Sequence, residues 1–179
     1  MNYYTSDLHF GCQAVFDRTD RPFKDLEEMK EAIINNINHT LKRDDTLYIL
    51  GDISCAEYDP TSELKAMNCR KILIKGNHDA RWCKHRHFRN QFEEIHDIKA
   101  VRECGTRIVL CHYPLAEWDG YYKGHYHFYG HIHNSNEGAA LIMNNVERAI
   151  NVGVDVNNFM PKTAKELLGF ISEDSQKAV

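Results

Sequence analysis

From Leu26 to Leu41 the apolar positions Leu26, Met29, Ile33, Ile37 and Leu41 recur every three or four residues in a largely polar background. That spacing predicts a helix with one buried face. "NYYTSD" reads as a short first strand that stops at Asp7, and "TLYIL" and "RKILIK" read as buried strands ending at Gly51-Asp52 and at Gly76. "PTSELKAM" predicts a helix with Pro60 at its start, and "FRNQFEEI" a further helix. Beyond it the period changes. "IKAVRECGTRIVLCHYP" predicts two strands around a turn at Gly105, and "HFYGHIH" a strand running into a loop. "AALIMNNVERAINVGVDV" offers two more strand candidates, and "TAKELLGF" a closing helix.

Strand and helix thus alternate in the first half, and strands dominate the second. No linker, repeat or low-complexity segment divides the chain, so the expectation is one α/β domain over residues 1–179. Its sheet would be mixed, or two sheets would stack.

Composition narrows the setting. Hydrophobic residues make up 42% and charged residues 27%, an ordinary water-soluble balance. The first residues, "MNYYTSDLHFG", carry neither a basic n-region nor an apolar h-region, and a cytoplasmic location is expected. Net charge is −4, which argues against non-specific duplex binding as the main task. The six cysteines show no C-x2-C spacing and are expected as reduced thiols.

The chemistry lies in position. Asp7, His9, Asp52, Asn77, His78, Asp79, His112, His131 and His133 all fall at or just after the end of an expected strand. In α/β folds those ends converge on one edge, where ligands bind. Singly, each reads as a turn, a cap or a surface residue. Together they supply carboxylate, imidazole and amide donors suited to divalent manganese, iron or zinc. Asp-x-His and His-x-His are i, i+2 pairs, whose side chains share a face in extended backbone.

Those motifs, "SDLHFG", "LGDI", "KGNHD", "CHYP" and "YGHIH", resemble the calcineurin-like metallophosphoesterases. The chain is most similar to the small, single-domain bacterial and phage phosphoesterases of that superfamily, in which "RPF" and "NVGVDV" also recur. The resemblance implies two stacked β-sheets flanked by helices, a four-layer sandwich, and two divalent metal ions. Manganese comes first among these, with iron, zinc, nickel or cobalt as alternatives. Carried over by motif, Asp7, His9 and His133 hold the first metal and Asp52 bridges both. Asn77, His112 and His131 hold the second. His78 faces the substrate phosphate as the catalytic acid, and Asp79 sits behind it to fix its orientation.

The implied activity is hydrolysis of phosphodiesters, with phosphomonoesters as a further class, by in-line attack of a metal-bridging hydroxide. The substrate would be small or nucleotide-like. Arg21, Arg81, Lys84 and Arg86 are candidate phosphate contacts, and Tyr113, Trp118 and Tyr121 could wall a substrate pocket. Cys12 stands where many relatives carry a histidine. The "GDxxDRG" form of the protein phosphatases is absent. No membrane or strong nucleic-acid partner is expected, and homo-oligomerisation stays open. Two alternatives remain: a nuclease of the same superfamily, and a non-catalytic scaffold on this fold.

Overall fold

The computed structural model describes residues 1–169. In chain order the elements are β1 (Asn2–Thr5), α1 (Gln13–Arg18), α2 (Leu26–Thr40), β2 (Thr46–Ile49), α3 (Thr61–Ala66) and β3 (Arg70–Ile74). There follow α4 (Arg86–Arg89), β4 (Glu94–His96), β5 (Ile98–Glu103), β6 (Thr106–Cys111) and β7 (Tyr126–Tyr129). Last come α5 (Ala139–Met143), β8 (Ala149–Asn151), β9 (Lys162–Thr163) and α6 (Ala164–Leu167). The helix read over "TAKELLGF" is α6, and Phe170 at its end lies outside the described residues.

Two mixed sheets result, flanked by helices. The first has the order β4-β3-β2-β1-β9, parallel except for β9; the second has the order β5-β6-β7-β8, parallel except for β5. Strand alternation sorts the core into two layers. Leu47, Ile49 and Leu73 face Met29, Ile33 and Ile37 of α2. Their neighbours Tyr48, Leu50, Ile72 and Ile74 face the second sheet, where they meet Ile108, Leu110 and Phe128. Because both faces of β2 and β3 are covered, these strands read as continuous apolar runs rather than alternating ones. α2 starts where its pattern does: the Asp25 side chain accepts a hydrogen bond from Glu28 N at 2.9 Å, a cap that stabilises by about 1 kcal/mol.

Two expectations fail, each for a pairing or packing reason. "FRNQFEEI" is not a helix throughout: α4 ends at Arg89, and Glu94–His96 pairs in parallel with Ile72–Ile74. Satisfying the open edge of β3 outweighs the helix preference of Glu93-Glu94. The first half of "AALIMNNVERAINVGVDV" is helix rather than strand. Its buried residues, Ala140 and Met143, are three apart, while Leu141 and Ile142 are exposed, so the apolar run hides a helical period. The short α1, with Val15 as its one buried residue, gives too little pattern to be read.

Candidate metal centre

Five parallel strands deliver the candidate residues. Asp7 follows β1, Asp52 follows β2 and Asn77 follows β3; His112 directly follows β6, and His131 follows β7 by two residues. The strand-end loops are tied together by main-chain bonds: Asp7 N to Gly51 O, His9 N to Asp52 O and Gly130 N to His112 O, at 2.9–3.0 Å. Asp7, His9, Asp52, His112 and His133 are buried.

Their backbone is not extended, contrary to the reading of Asp-x-His and His-x-His as strand pairs. Asp7, His9, Asp52, His131 and His133 have φ of 61°, 50°, 55°, 70° and 50°. Left-handed backbone costs an L-residue about 1–2 kcal/mol, so five such residues in one place mark a site that the surrounding structure holds under strain. Close approach is the second requirement. A Cβ on Gly76 would collide with Asp52 Oδ1, and one on Gly130 with the side chains of Ser6 and Asp7.

The ligand-type atoms gather into three overlapping groups, Asp7–His9–His133, His9–Asp52–His78 and Asp52–His112–His131, each with its atoms within 4.8 Å of one another. His9 links the first group to the second, and Asp52 links the second to the third. Asp52 Oδ2 lies 3.6 Å from His9 Nε2 and 3.4 Å from His112 Nε2. His112 Nε2 lies 3.1 Å from Asn77 Oδ1 and 3.2 Å from His131 Nδ1. Both ring nitrogens of His9 are buried without a hydrogen-bond partner among the described residues. A neutral imidazole left so inside a protein is costly; a cation among three carboxylate or imidazole donors would relieve that cost. The donor set fits a divalent ion.

The ionisable groups of the cluster shift one another. Burial holds the His9 imidazole down at about 3. Burial also pulls His112 down, but the hydrogen bond and charge of Asp52 outweigh it and raise His112 to about 9. Asp52 answers in kind: burial pushes it up, and His112 brings it down to about 2. The Asp7 carboxyl is raised, by burial first.

Four expected residues fare differently. Arg21 is buried, and every donor of its guanidinium is spent: Nε and Nη2 on Asp155, Nη2 on Asp7 O, and Nη1 on Leu8 O and Met29 Sδ. It therefore holds the loop under the site and offers nothing to a substrate phosphate. Trp118 is buried against His127 and gives its Nε1–H to His125 O, so it covers the outer face of the second sheet and walls no pocket at the centre. The Asp79 side chain makes no hydrogen bond or ion pair with His78 among the described residues. Its carboxylate accepts from the main-chain N–H groups of Asp52, Ile53 and Gly76, which clamps the end of β2 to the end of β3. Tyr113 does stand beside the centre, its ring 4.9 Å from that of His131 and 5.1 Å from that of His112. Cys12 is buried in contact with Cys55, and burial pushes its thiol up.

One residue was missed. Asp155 Oδ2 lies 2.7 Å from Nδ1 of His133, which leaves Nε2 of that ring free to face the centre. A lone aspartate inside the apolar run "NVGVDV" was the available signal.

Helix-flanked paired sheets, with this cluster at the parallel strand ends, define a metallophosphoesterase. The chain belongs to the calcineurin-like phosphoesterase family, whose model matches residues 3–106. It is 27% identical over 162 residues to an uncharacterised protein of Methanocaldococcus jannaschii, covering 89% of this chain and 84% of that one. To the gene 66 protein of Mycobacterium phage L5 it is 26% identical over 183 residues, covering 86% of each. A crystal structure of a protein of unknown function from Aquifex aeolicus superposes with a TM-score of 0.75 at 28% identity, covering 96% of this chain and 99% of that one. No helix among the described residues is long and apolar enough to cross a membrane.

Proposed function

We propose that the protein is a phosphodiesterase that works with two divalent cations, manganese first among them. The observation that carries this reading is the shared position of Asp52 Oδ2 between the His9 and His112 sides of the cluster, which suits one carboxylate to two cations. Asp7, His9, His133 and Asp52 would hold the first, and Asp52, Asn77, His112 and His131 the second. Such cations supply Lewis acidity, which neutralises phosphoryl oxygens and provides a nucleophile at neutral pH.

The remaining residues bind, orient and move protons. The side chain of His78 is 40% exposed, with Nε2 3.9 Å from Asp52 Oδ2, so it stands on the open side of the cluster. Its own main-chain N–H is held by Asp52 Oδ1 at 3.0 Å. From there the imidazolium can donate to a phosphoryl oxygen and pass its proton to the leaving oxygen, a contribution of typically ~10²–10⁴-fold. Tyr113 offers an aromatic edge to an apolar leaving group.

The test is an assay of metal-stripped protein against phosphomonoesters, diesters and nucleotides, with each divalent metal restored in turn. Diester hydrolysis returning with manganese is the expected result. If no metal restores turnover on any ester, the enzyme reading fails.

A further inference from the structure

A cavity of about 520 Å³ opens directly from the metal centre, with His131 and His133 forming its inner wall. Its far side is the C-terminal end of α1 and the segment that follows His133. That volume lies in the usual range for small-molecule sites and exceeds what a bare phosphate needs. It is placed to take whatever is esterified to the scissile phosphate.

The lining says what that group is. Arg18, Thr19, Asn134, Ser135, Asn136 and Glu137 face it, and only Ile132 and Ala139 are aliphatic. Beyond the imidazoles of His131 and His133, which belong to the ligand cluster, no aromatic ring lines it, so it is not built to stack a base. Unlike Arg21, whose guanidinium is spent on Asp155, Arg18 is exposed at the end of α1 and has no side-chain partner among the described residues. The segment is anchored across the cavity by Asn134 Nδ2, which donates to Thr19 O at 3.1 Å. Amide, hydroxyl and carboxylate groups match the donors and acceptors of a polyhydroxylated group. An unpaired arginine matches an additional phosphate.

We propose that this cavity is a substrate subsite for a hydroxylated arm bearing a second phosphate, with Arg18 pairing that phosphate. The proposal rests on the phosphoesterase reading and names its substrate class: a diester with one sugar-phosphate arm. The amides of Asn134 and Asn136 and the carboxylate of Glu137 take the hydroxyls, and the leaving arm stays on the Tyr113 side.

Two esters separate the possibilities: methyl β-D-ribofuranoside 5-(p-nitrophenyl phosphate), whose arm carries free hydroxyls and no base, and the same compound carrying a 3-phosphate. Both release p-nitrophenolate. The manganese-loaded protein should prefer the second, and Arg18→Gln should lower the ratio of the two kcat/KM values about tenfold. Calorimetry with methyl β-D-ribofuranoside 3,5-bisphosphate on the same two proteins should show a similar loss of affinity. An absent preference, or a ratio and an affinity that Arg18→Gln leaves alone, overturns the subsite. Cleavage of neither ester, with the bisphosphate still bound through Arg18, sinks the phosphoesterase reading and keeps the subsite.

Discussion

Arg21 and Asp155 meet in a two-point ion pair, Nε to Oδ1 at 2.8 Å and Nη2 to Oδ2 at 3.0 Å, and that same Oδ2 lies 2.7 Å from Nδ1 of His133. Both side chains are almost fully buried. Removing one partner strands the other charge, so Asp155→Ala should destabilise the fold by about 3–5 kcal/mol. It should also weaken manganese binding by about 10–100-fold, since His133 loses the group that fixes its ring. Urea unfolding and a metal titration read the two effects separately. Unchanged metal affinity in Asp155→Ala would mean that the pair supports the fold alone.

Neighbouring residues His78 and Asp79 should part company on mutation. His78→Ala is expected to lose turnover by about 10²–10⁴-fold, least for esters with good leaving groups, while keeping its metal content and its melting temperature. Asp79→Ala deprives three buried N–H groups of their acceptor and should cost about 3 kcal/mol or more in stability. Metal analysis, kinetics and thermal denaturation of the two variants settle this. Loss of metal from His78→Ala would show that His78 is a ligand instead.

Metal uptake should release a proton. His112 sits at about 9 in the metal-free fold, above the ordinary 6.5. The sign follows: its stabilising pair with Asp52 is complete below the unfolded value and is lost as pH rises through about 9. Metal binding runs the other way, because a ligating imidazole must be neutral. Below about 9, apparent affinity should therefore fall up to about tenfold per pH unit. Calorimetry near pH 7.5 in buffers of different ionisation enthalpy should find about one proton released per protein. Release of none would separate His112 from the metal.

Chelation should also soften the protein. A ligand at a thousandfold its Kd stabilises by about 4.1 kcal/mol, and about 1 kcal/mol moves Tm by 2–4 °C at this size. Stripping the metal is thus expected to lower Tm by about 8–16 °C, measured by calorimetry with and without chelator. A melting temperature indifferent to chelator would argue that the unpartnered nitrogens of His9 are relieved in some other way.

Much of this was legible in the sequence where one local rule decided it. α2, β2 and β3 follow from periodicity and from apolar runs closed by glycine. The candidate cluster followed from polar residues recurring at strand ends. What could not be read were partners made by tertiary contact. Nothing local says that Asp79 serves three main-chain N–H groups, that Arg21 turns inward to Asp155, or that Trp118 covers the second sheet. Each is a polar or aromatic side chain whose role depends on elements distant in sequence. The left-handed backbone at Asp7 and His9 was equally hidden, because neither is a glycine.

The cluster also sits on a seam. Asp7, His9, Asp52 and Asn77 come from the first sheet's strand ends, while His112, His131 and His133 come from the second's. Ions bound there would rivet the two sheets at one rim, beside the apolar layer in which Tyr4, Leu50 and Ile74 meet Ile108, Leu110 and Phe128. Emptying the centre would then loosen the sandwich like a book released at its spine, and amide exchange would quicken first along β6 and β7.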